Sequence, residues 1–142
     1  MSKPVLAAFA LFVAFASVAQ AQDLRSPSAA GAKVYFIAPK NGAVIKGPVV
    51  VKMGLSGMGV APAGVEKKDT GHHHIIVDGK LSDLTAPIPQ DDKHRHFGGG
   101  QTETTLTLPP GKHTLQLVLA DHNHIPHNPP IVSDVITITV KK

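Results

Sequence analysis

The chain has 142 residues, a formal charge of +4 with histidine neutral, nine histidines and no cysteine. This length suits one domain with one core, which has to be stable without disulfides. The missing thiols exclude the His-His-Cys blue-copper centre and thiolate zinc sites, and the scattered basic residues and few aromatics leave no nucleic-acid footprint or stacking platform.

The first 21 residues read as an export signal. Lys3 gives a basic start, residues 5–18 are apolar, and Ala19-Gln20-Ala21 forms a small-x-small cleavage site. Its apolar run is short for a bilayer span. We therefore expect cleavage after Ala21, a periplasmic location and no membrane span in the mature chain. Residues 22–32, rich in Ser, Ala and Gly, read as a flexible leader, and residues 33–142 as the domain.

From Lys33 the pattern is that of strands. Val34-Tyr35-Phe36-Ile37 precedes Pro39 and the turn dipeptide Asn41-Gly42, and two more β-branched runs follow around Val44 and Val49, split by Gly47-Pro48. Residues 54–70 form a Gly-rich connection before a strand over residues 72–77, which Asp78-Gly79 ends. A second long connection, residues 80–101, contains His94 and His96. Unstructured connections of this length are often functional. Residues 102–108 and 113–120 alternate apolar and polar side chains about Pro109-Pro110-Gly111, as a hairpin or as two strands crossing between sheets at a corner. Residues 131–140 close the domain. No stretch after residue 21 keeps helical spacing for three turns, so the expected fold is an all-β, immunoglobulin-like antiparallel sandwich of six to seven strands.

The histidines fall in clusters. Asp121-His122-Asn123-His124-Ile125-Pro126-His127 is held as a stiff loop by Pro126 and by Pro129-Pro130. In His72-His73-His74, alternation sends His72 and His74 to one face and His73 to the other. Two rings about 7 Å apart along one strand can chelate one ion. If the two runs flanking Pro109 are antiparallel, His94 and His96 share a rim with His122, His124 and His127, while His113 falls at the opposite rim. A strand over residues 72–77 antiparallel to residues 113–120 would bring His72 and His74 to that rim as well. Neutral imidazoles on one edge suit copper or zinc.

The expected ligands are therefore His72, His74, His122 and His124. His94, His96 and His127 could complete the shell, and Asp121 could ligate or orient a ring. Soft Met58, in a flexible Gly-Met-Gly segment, is a further candidate, whereas Met53 reads as core. The leading function is copper binding or handling, with zinc second. The rivals are a non-catalytic immunoglobulin-like module that docks a periplasmic envelope protein or glycan through its loops, with the histidines as a structural hydrogen-bonded network, and a metal enzyme, either superoxide-dismutase-like or a metal-dependent hydrolase. Asp91-Asp92 reads as a solvated loop rather than a catalytic carboxylate pair.

Four blocks resemble a known family: residues 71–78, residues 96–103, Leu108-Pro109-Pro110-Gly111-Lys112-His113-Thr114-Leu115, and residues 121–127. They are similar to the signature blocks of the bacterial exported family of domain of unknown function 4399, over roughly residues 34–140. The resemblance implies a small exported domain and carries no activity with it.

Overall fold

The structure, a computed structural model, describes residues 22–142, and the expected signal segment lies outside the described residues. Among the described residues ten strands form: β1 Lys33–Ala38, β2 Val44–Lys46, β3 Val49–Ser56, β4 Gly59–Val60, β5 Thr70–Val77, β6 His94–His96, β7 Glu103–Leu106, β8 Gly111–Ala120, β9 Pro126–Val132 and β10 Ile136–Lys141. One sheet has the order β1-β3-β7, and the other runs β2-β10-β8-β5-β4 with β6 on β5 and β9 on β8. Among the described residues no helix is long and apolar enough to cross a membrane.

The fold is an all-β sandwich. Seven strands of four residues or more carry it, and β2, β4 and β6 extend its edges. The pairings of β4 with β5 and of β2 with β10 are parallel, and the remaining ladders are antiparallel. β7 pairs with β3 while β8 pairs with β5 and β10, so Pro109-Pro110-Gly111 is a corner between sheets and not a hairpin turn. At Asn41-Gly42 the turn requires the left-handed backbone of Gly42, at φ 82°. The amide of Gly42 donates to the Thr137 carbonyl, which fastens the turn to β10.

The alternating side chains of the two sheets meet in a core of Val34, Val49, Val51, Ile75, Val77, Leu115, Leu117, Leu119 and Ile138, with Met53 inside it and Met58 at its margin. β5 is buried along nearly its whole length on both faces. Its outer face, with Ile76, lies with Val118 and Ala120 of β8 under Leu81 and Ile88 of the long connection after β5. That connection is a lid over the sheet, and its Ile88 amide donates to the His124 carbonyl at 2.8 Å.

Residues 22–32 lie against the domain through their polar groups. Ser26 donates to Asp121, and Ser28 and Ser26 exchange backbone bonds with Asn128 beside β9. Asp23 accepts from Asn128 and Arg25. Small polar residues read as a linker by composition alone, but here they run alongside an otherwise open edge of β9.

Candidate metal centre

β5 and β8 are antiparallel, with His72 opposite Ala120 and His74 opposite Val118, so the start of β5 meets the end of β8. Side-chain alternation sends His72 and His74 to the outer face and His73, opposite Leu119, into the core. On the other edge of β5, His96 of β6 stands directly opposite His74. The loop after β8 then folds back and delivers His124.

That loop is built by Asp121. Its carboxylate is 1% exposed and accepts from the amides of Asn123, Ile125 and Ser26 and from the Ser26 hydroxyl. Burial by itself would raise the Asp121 pKa, but the bonds from Ser26, Ile125 and Asn123 outweigh it and hold the group ionised. Within this turn His124 adopts φ 64°, a left-handed conformation uncommon for non-glycine residues, although Asn, Asp and His enter it more often than the others. Such outliers collect at functional sites.

The result is one group of four rings, His72, His74, His96 and His124, whose ligand atoms all lie within 4.8 Å of one another. The Nε2 atoms of His72 and His74 are 3.0 Å apart, and Nε2 of His72 is 3.2 Å from Nδ1 of His124. An ion bound at 2.0–2.1 Å with tetrahedral geometry separates its nitrogens by about 3.3 Å. This group could hold a metal ion.

Burial, and then the neighbouring rings His124 and His96, push His72 down to about 4. Burial and His72 push His74 down to about 2. Burial and then His124 lower His96. His72, His74 and His96 are therefore held toward the neutral form, the form that binds metal. Nδ1 of both His72 and His74 and Nε2 of His96 are buried without a hydrogen-bond partner. The converging atoms of His72 and His74 are their Nε2 nitrogens, so an ion between the rings would take up those lone pairs and leave both Nδ1 atoms behind the rings without an acceptor.

Two glycines make the close approaches possible. A Cβ at Gly98 would stand 2.6 Å from Nε2 of His96, and a Cβ at Gly71 would stand 2.6 Å from the Ala120 carbonyl and 2.8 Å from the His127 ring. Larger residues at either position would displace a ring or spread β5 from β8.

The other expected ligands lie outside the four-ring group. His94 shares the face of Ile76, but its Nδ1 is 2.8 Å from Asp91, which caps the turn before β6. His122 turns away to Asn123, 2.9 Å from its Nε2. His127 is buried with its ring nitrogens facing the carbonyls of Leu119 and Thr70, so it braces β9 against β8 and β5. Asp121 spends one carboxylate oxygen on its own loop and the other on Ser26, and it meets His124 through the backbone rather than through a ring contact. The physical reason is common to all four: each has a local polar partner that fixes it elsewhere.

His113 lies at the far end of β8, between Asp78 at 2.6 Å and the Pro109 carbonyl at 2.7 Å. Burial alone would lower its pKa, but Asp78 and that carbonyl raise it.

His73 has a different character. It is fully buried in the core, both ring nitrogens lack partners, and burial pushes it down to about 4. Replacing it with an apolar residue of similar size removes a desolvation penalty. We expect His73→Leu to raise the unfolding free energy by about 1–3 kcal/mol at pH 7, measured by urea unfolding. A loss of stability would mean that the ring has a partner in the folded protein.

Fold and site together define a β-sandwich domain with a half-buried all-histidine group that could hold a metal ion. Residues 51–141 match the family model described as "Domain of unknown function (DUF4399)", and the chain belongs to that family. No curated protein matches the chain. Among solved structures it is similar to the fibronectin(III)-like modules of Clostridium thermocellum CbhA, at 13% identity and a TM-score of 0.40. That match covers 77% of this chain and 45% of the other, so this chain spans less than half the length of the structure it resembles.

Proposed function

We propose that the protein is a periplasmic copper-binding, copper-handling protein whose ligands are His72, His74, His96 and His124, with zinc as the second metal. The observation that carries this reading is the convergence of four ring nitrogens within 4.8 Å, drawn from β5, β6 and the loop after β8. Imidazole suits both metals, and copper stands above zinc in divalent affinity. Four protein ligands complete a tetrahedral shell and leave no open position for a substrate, which favours carriage or storage over catalysis. Export is supported by the basic start, apolar run and small-x-small site of residues 1–21.

The test is element analysis of tag-free protein loaded with copper or zinc and desalted. We expect about one ion per chain, with copper displacing zinc. His96 and His124 are only partly buried, so His96→Gln with His124→Gln should leave the fold intact by circular dichroism while abolishing retention. Retention of well under one ion per chain for both metals, or occupancy indifferent to that double substitution, rejects the reading.

A further inference from the structure

We propose that the site selects copper(I) over copper(II), so that the protein holds the cuprous ion. This deepens the copper reading above and rests on it. Three features of the site support it.

The first is shape. Five of the six ring-centre separations in the group lie between 4.7 and 5.1 Å, and the sixth, His74 to His124, is 6.1 Å. A tetrahedral ion with nitrogens at 2.0–2.1 Å places imidazole centres about 5.2 Å apart, whereas a planar one places neighbours at about 4.5 Å and both diagonals at about 6.4 Å. Here one diagonal, His72 to His96, is as short as the sides at 5.1 Å. Lengthening it would require β5 and β6 to part, and the His74–His96 register together with the β5–β8 ladder resists that. Copper(II) prefers tetragonal geometry, while a closed-shell ion has no such demand.

The second feature is charge. The group contains four imidazoles and no carboxylate. Asp121 acts on His72 through space, but its oxygens are committed to Ser26, Asn123 and Ile125. The cost of taking an ion out of water grows with the square of its charge, so an uncompensated dication is penalised more than a monocation. Zinc shares the tetrahedral preference but carries the second charge.

The third feature lies behind the rings. Ligating histidines ordinarily donate their far nitrogen to an acceptor, which raises their basicity. Nδ1 of His72 and Nδ1 of His74 have no acceptor. Weaker donors of this kind disfavour the more highly charged ion.

The experiment compares both oxidation states on the full tag-free protein: copper(I) anaerobically against a chromophoric cuprous chelator, and copper(II) against an amine-carboxylate chelator. We expect copper(I) to bind more than about tenfold tighter, which raises the copper couple above that of the aquo ion by more than about 59 mV. His124→Asp places an anion in the shell at a backbone position that aspartate tolerates, and it should narrow the ratio. A ratio of tenfold or less, or a preference untouched by His124→Asp, overturns the cuprous assignment and leaves copper binding standing. Failure of both ions to bind would instead remove the copper reading itself.

Discussion

Acid should unfold the metal-free protein near pH 5, well above the carboxylate range. His72 and His73 are held down to about 4 and His74 to about 2, against 6.5 for a free ring. Between about pH 6.5 and about pH 4 the unfolded chain therefore binds three protons that the folded chain refuses. Stability must fall as pH falls through that window, by about 1.4 kcal/mol per pH unit for each group. Three groups together give a slope on the order of 4 kcal/mol per unit, and by pH 5 the loss is comparable with the whole stability of an ordinary domain.

His113 opposes this trend, because its raised pKa contributes stability in acid that is lost at higher pH. One ring cannot offset three. Urea unfolding from pH 7.5 to pH 4.5, followed by circular dichroism, measures the slope. A slope near zero would mean that the buried rings take up protons in place, and His73→Leu should reduce the slope by about a third.

Bound copper should reverse much of that marginality. At a free concentration of about a thousand times Kd, a ligand of the folded state adds about 4 kcal/mol, less whatever the histidines of the unfolded chain capture. For a domain of this size the shift in Tm is on the order of 10–20 °C. His74→Leu should abolish the shift and leave the metal-free protein about as stable, since it removes the 3.0 Å contact of Nε2 with His72 together with an Nδ1 that is buried without a partner. Loss of the metal effect combined with no loss of intrinsic stability separates a ligand from a packing residue. A copper-induced shift that persists in His74→Leu, measured by thermal unfolding with and without copper, would place the ion elsewhere.

These effects come from a site that could be read only in part along the chain. The alternation that pairs His72 with His74 and sends His73 inward is a property of any strand, and it is what β5 shows. Local pattern leaves the direction of that strand relative to residues 113–120 open, and the antiparallel His72–Ala120 pairing decides it. His96 reaches the group for a reason different from the one inferred. It lies at the common rim because β6 pairs with β5, not because it leads into β7.

The choice of His124 over His122 lay beyond local pattern. Both flank Asn123 in one loop, and the decision is made by Asp121, which folds the turn, by the left-handed backbone at His124, and by Asn123, which engages the other ring. The role of Gly98 likewise appears only when His96 is seen against it.

What the chain's own order of residues determined was the class of the fold, the two faces of the His72–Val77 strand, the absence of any thiolate and the supply of imidazoles. These follow from periodicity, turn chemistry and composition, which act between near neighbours. Tertiary structure alone decided which four rings meet and which histidines serve as braces. Ring meeting ring depends on inter-strand register and loop closure between residues dozens of positions apart, and a nearby carboxylate or carbonyl can capture an imidazole before the site does. For this protein that competition separated His96 and His124 from His94, His122 and His127.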